Sequence, residues 1–118
     1  MDGPNPMISK ILPVVFLILL GGCAGKPLYY WGDYQDLIYT SYSKPSEALP
    51  ERQITMLEAD VQKAKGKNMR LPPGFRAQLG SLYYQTGNTS AARTNFELEK
   101  RSFPESAVLM DRFLKRLK

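Results

Sequence analysis

The chain has 118 residues, 43% of them apolar, which allows one domain with an adequate core and no second domain. Its net charge is +5, and because Asp2 and Lys10 offset each other, the part from Cys23 onward carries the whole excess, fifteen basic against ten acidic residues; this suits either anionic partners such as phosphate-bearing lipids, glycans or acidic proteins, or a well-solvated surface. One cysteine and no histidine exclude an internal disulfide and the usual zinc and general-base constellations, and no nucleophile with a base is visible, so the expectation is a non-enzymatic protein.

Residues Met1 to Pro6 contain two prolines and no periodicity, while Met7 opens a short, positively charged Met-Ile-Ser-Lys stretch that makes Met7 the expected translation start. Ile11 to Leu20 has no polar interruption, yet ten helical residues span only about 15 Å, half the hydrocarbon core of a bilayer. This reads as a signal-peptide apolar segment and not as a membrane-spanning helix. Leu20-Gly21-Gly22-Cys23 follows at once. Charged start, apolar segment, small residues and cysteine come in the order of a bacterial lipoprotein signal, and the four residues resemble its lipobox, with Gly21 where alanine or serine is commoner. The resemblance implies a diacylglycerol on the Cys23 thiol, cleavage before Cys23 and an N-acyl chain on the new amine. Ala24 in place of Asp implies the outer membrane, periplasmic face. Several acyl chains make such attachment lasting. The expected organisation is a removed signal peptide at 1–22, a lipidated tether and aromatic segment at 23–32, and a helical domain at 33–118.

Tyr29, Tyr30, Trp31, Tyr34, Tyr39 and Tyr42 form an aromatic cluster, which can pack into the core, sit near lipid headgroups or serve as a binding platform. From Asp33 as N-cap, Tyr34, Leu37, Ile38 and Tyr42 fall at helical spacing and predict a helix over Tyr34 to Ser43. Asp33 and Asp36 share its face but lack a third metal ligand. Pro50 suits the first turn of a second helix running to about Lys65, with Ile54, Leu57, Val61 and Ala64 as its stripe, Gly66 placed to end it, and lysines at its C-terminal end where the helix dipole favours them.

Pro73 can open a third helix with the stripe Phe75, Leu79, Leu82, Tyr83 and Thr86, stopped at Gly87-Asn88. A fourth helix, with Ala92 and Phe96 on one face, ends near Phe103-Pro104. This hairpin at 73–106 resembles one tetratricopeptide repeat. Leu79, Gly80, Tyr83, Gly87, Ala92, Phe96 and Pro104 match the repeat pattern, whereas Arg76 stands where an aromatic is usual and Glu99 where an alanine is usual. A single repeat needs neighbours to cover its faces. Ala107 to Leu117, with Met110, Phe113, Leu114 and Leu117 on one side and Arg112, Lys115, Arg116 and Lys118 on the other, reads as a C-terminal capping helix. The expected fold is thus all-α, a tetratricopeptide-like hairpin with flanking and capping helices. The repeat resemblance implies a peptide-binding groove presenting Ala77, Ser81, Tyr84 and Gln85, against the alternative that these are ordinary surface.

Through the lipobox, the Tyr-Tyr-Trp-Gly run at Tyr29 to Gly32 and the Leu-Gly-Ser-Leu-Tyr-Tyr run at Leu79 to Tyr84, the chain also resembles small proteobacterial lipoproteins labelled domain of unknown function 4810. Family members are often encoded beside a lipoprotein similar to the curli secretion channel. The resemblance implies an accessory role: an adaptor that binds an envelope protein, such as that channel-like lipoprotein, and aids its assembly or localisation, with no nucleic acid involved. The alternative is a lipid- or glycan-binding component using Arg112, Lys115, Arg116 and Lys118 together with the aromatic cluster.

Overall fold

A computed structural model describes residues 3, 5–19, 22 and 25–117. Among the described residues the chain is helical throughout, in the order α1 (Pro6–Leu19), α2 (Tyr34–Ser43), α3 (Pro50–Gly66), α4 (Phe75–Gln85), α5 (Thr89–Ser102), a 3-10 turn (Pro104–Ser106) and α6 (Ala107–Arg116). No strand forms there; a lone parallel bridge joins Tyr29 to Arg70. α1 carries Pro13 and leaves its described apolar side chains exposed. No described helix is long and apolar enough to cross a membrane.

The central element is α4, because it is buried from both sides. Phe75, Leu79 and Leu82 face α2 and α3, where they join Leu37, Leu57 and Val61 in one apolar cluster. Its other side meets α5, α6 and the residue after α6, where Ala92, Phe96, Met110 and Leu117 form a second cluster. Ala77 packs against this second cluster, and Tyr83 borders both. Gly80 sets how closely α4 and α5 approach, since a Cβ there would come within 2.7 Å of the Phe96 ring. Gly87, at φ 81°, turns the chain between them, and Asn88 caps α5 by accepting the N–H of Ala91 at 3.1 Å. Across the next junction, Lys100 donates to Asp111 at 2.7 Å and ties α5 to α6.

Several expected boundaries and stripes move, each for a physical reason. α4 starts at Phe75 and not at Pro73, because Gly74 adopts φ 88° and donates its N–H to Glu99. α3 includes Gly66, and the left-handed residue after it is Asn68 at φ 51°. Tyr42 and Thr86 leave their stripes for solvent. Tyr42, in the last turn of α2, is 85% exposed, and the Thr86 hydroxyl turns back to donate to the carbonyls of Leu82 and Tyr83.

Four of the six aromatics pack and two do not. Tyr30 donates its N–H to the Arg70 carbonyl at 2.8 Å, so the chain is fastened to the domain from this point. The Arg70 guanidinium lies over the rings of Tyr29 and Phe103, and the Lys67 ammonium over Tyr30. Trp31 stacks on Tyr34, which packs against Phe75. Burial, and then the charge of Glu99, push the Tyr34 phenol above its ordinary pKa. Tyr39, by contrast, is 72% exposed.

Candidate functional site

Two long-range caps establish the framework on which the site is built. Asp33 occupies the N-cap position of α2 without capping it through its own side chain. Its backbone N–H instead donates to Asp60 of α3 at 2.7 Å, and Asp60 is fully buried. Gly32, at φ 47°, makes room, for any Cβ at that position would collide with the Asp60 carboxylate. The same device recurs in the second half of the domain. The N–H of Gly74, just ahead of α4, donates to Glu99 of α5 at 2.6 Å, and Glu99 is buried. A carboxylate at a helix N-terminus is favoured by the unpaired N–H groups and the helix dipole, here without help from solvent.

The two departures from the repeat pattern prove to be neighbours. Arg76 donates to Asn95 at 3.0 Å, and Asn95 is itself buried and donates to the Ala91 carbonyl. Burial lowers the pKa of Arg76, while the charges of Glu58 and Glu99 favour its protonated form. Next to it, Tyr83 donates to Glu58 at 2.8 Å; burial first, and then this bond, push its phenol up to about 12. Arg76 and Glu99 therefore belong to one polar cluster inside the helical layer, supporting α4 from within.

On this framework the C-terminal halves of α4 and α6 meet across α5 and leave a cleft of about 130 Å³. Ser81, Tyr84 and Gln85 of α4 form one rim, Arg116 of α6 the other, and Phe96, Phe113 and Leu117 the floor. The Phe96 and Phe113 rings touch with centroids 5.2 Å apart. An apolar cavity of about 150 Å³ accommodates one benzene ring, whereas sites for drug-sized ligands run to roughly 300–1,000 Å³. The cleft thus has room for one apolar side chain. At the rim, the hydroxyl of Tyr84, the amide of Gln85 and the guanidinium of Arg116 can hydrogen-bond a peptide backbone or a carboxylate.

Ser81, Tyr84, Gln85 and Arg116 are therefore brought together, although the sequence pattern places them in two separate candidate surfaces. Ala77 does not join them, being packed inward. Arg112 and Lys115 are exposed on α6 but do not line the cleft. Cys23 and Lys118, with Leu20, Gly21 and Ala24 of the lipobox context, lie outside the described residues. The floor residue Phe113 and the buried Asn95 carry signals in the sequence, as each lies on the apolar stripe of its helix. A larger cleft of about 320 Å³ separates α2 from α3, but its walls mix Asp36, Glu47 and Arg52 with Leu37 and Met56 and present no aromatic floor. Among the described residues no group of three or more Cys, Asp or Glu could hold a metal ion.

No curated protein and no solved structure matches the chain. A family described as a domain of unknown function, DUF4810, matches residues 28–113, a span that takes in the aromatic strap at 28–32, which Tyr30 fastens to Arg70, α2 to α5 and most of α6, and the chain belongs to that family.

Proposed function

We propose that this protein is a non-enzymatic adaptor lipoprotein, held by acyl chains on Cys23 at the periplasmic face of the bacterial outer membrane, that binds a partner protein and aids its assembly or localisation. One observation carries the reading: an apolar cleft sized for a single side chain, floored by Phe96, Phe113 and Leu117, with Tyr84, Gln85 and Arg116 as polar groups at its rim. Aromatic and arginine side chains around a small apolar pocket are the composition of interface hot spots. The tetratricopeptide reading of α4 and α5 supports the same conclusion, since such hairpins mostly hold peptide segments. The partner would supply a bulky apolar side chain close to an acidic group that pairs with Arg116; a lipoprotein similar to the curli secretion channel is the candidate drawn from the family resemblance.

The test is site-specific photo-crosslinking from Gln85 in native membranes, combined with the variants Tyr84→Ala and Arg116→Ala. One crosslinked partner is expected, its affinity falling at least tenfold in each variant, which corresponds to about 1.4 kcal/mol. Unchanged recovery would sink the cleft as the binding site. If the exposed cations of α6 act instead on lipid or glycan, binding will collapse with rising ionic strength and will ignore Tyr84→Ala.

A further inference from the structure

The aromatic strap has an outward side. Leu28 is 68% exposed and Trp31 is 40% exposed, one of its faces being covered by Tyr34. Exposed Lys26, Lys67 and Arg70 surround them, the last two held by the rings of Tyr30 and Tyr29. Isolated exposed apolar residues need no explanation. Here, however, an indole and a leucine share a short segment with Lys26, and Lys67 and Arg70 from the loop after α3 lie over the rings of that same segment, at the point where the chain becomes fastened to the domain.

We propose that this strap patch lies on the membrane surface, with Leu28 and Trp31 in the interfacial layer and Lys26, Lys67 and Arg70 over anionic headgroups. The proposal rests on the reading of Cys23 as the acylated residue. Six Cα steps separate Cys23 from Tyr29, and an extended chain covers at most about 22 Å in that distance. Because Tyr30 is bonded to Arg70, the tether has no further slack, so the patch is held within that reach of the bilayer whatever the tether does. Tryptophan prefers the interface, where its ring is sheltered and its N–H remains wet, and lysine side chains extend along apolar surface to reach the headgroups. The binding cleft lies at the other end of α4. Phe75, beside Tyr34, and Tyr84, on the cleft rim, are nine residues apart, or about 14 Å of helix. Contact through the patch therefore leaves the cleft, at the far end of α4, clear of the residues that meet the bilayer.

Trp31 is the only tryptophan, so its fluorescence reports this patch alone. The mature acylated protein, beginning at Cys23, is reconstituted into vesicles of equimolar phosphatidylethanolamine and phosphatidylglycerol. Compared with the same mature chain carrying Cys23→Ser in solution, Trp31 emission shifts to the blue, iodide quenching falls severalfold, and lipids carrying a nitroxide near the headgroup quench it strongly. Lys26→Glu, a substitution at an exposed tether residue, weakens the nitroxide quenching in these vesicles but not in phosphatidylcholine. Flotation of the vesicles reads the anchor separately. Protein that floats while Trp31 remains open to iodide overturns the patch alone, and protein that does not float overturns the anchor and the patch together. Shielding from iodide without quenching by nitroxide lipid would assign the patch to a protein partner and likewise overturn the proposal, as would Lys26→Glu acting equally in both lipids.

Discussion

Glu99 places one carboxylate oxygen on the Gly74 N–H and leaves the other without a hydrogen-bond partner, and the buried Asp60 does the same with the Asp33 N–H, its second oxygen lying 3.5 Å from the Lys63 ammonium. Such groups stabilise a fold less by the bond they make than by the cost of losing it, because removing one partner strands the other in a dry place. Glu99→Ala would orphan the Gly74 N–H and withdraw a negative charge from Arg76. It should lower stability by about 2–4 kcal/mol. Glu99→Gln retains an acceptor and should cost clearly less. Urea unfolding of both variants checks this, and equal midpoints for the two would show that the capping bond does not matter.

At the scale of elements, the two capping carboxylates show that the domain repeats itself. Gln53, Leu57, Asp60 and Ala64 of α3 are all buried, and so are Ala92, Phe96, Glu99 and Phe103, each 39 positions later in and just after α5. The halves nonetheless differ in tightness. α4 lies against α5 with Gly80 on Phe96, whereas α2 touches α3 mainly through Leu37 and the Ser41–Gln53 hydrogen bond, with a cleft beside them. Hydrogen exchange should therefore release the amides of α2 well before those of α4 and α5; the reverse order would contradict this account of the packing. The helices themselves were largely legible in the sequence, because prolines, caps and apolar spacing act locally; the span Tyr34 to Ser43 agrees at both ends. Asp60 as a cap was not, since its partner lies 27 residues away and no local pattern reports it. The cleft was legible only in halves. Tyr84 and Gln85 follow from the hairpin and Arg116 from the basic face of α6, but their meeting depends on α6 packing alongside α4 across α5. Asn95 and Glu99 could have been recognised as buried polar residues, since they share a helical stripe with Ala92 and Phe96.

At the scale of the whole molecule, the helical domain and the proposed anchor are separate devices. No described apolar side chain of α1 is needed to fill the core, and both clusters close without it. In a chain that begins at residue 23, Cys23→Ser should therefore leave the helical content and melting of the mature domain unchanged while moving the protein into the soluble fraction. Retention on membranes after a salt wash would refute the anchoring. The two ends of the system are joined through α4, with the Tyr30–Arg70 strap and Phe75 at one end and Tyr84 and Gln85 at the other. Tension between an anchored membrane and a bound partner would run along the axes of α4 and α5 and load their interface in shear, with Gly80 pressed against Phe96, rather than peel the helices apart turn by turn. In that direction many side-chain contacts must fail together, so under the proposed anchoring and partner binding the hairpin would act as a mechanical link that is stiff along the line of pull.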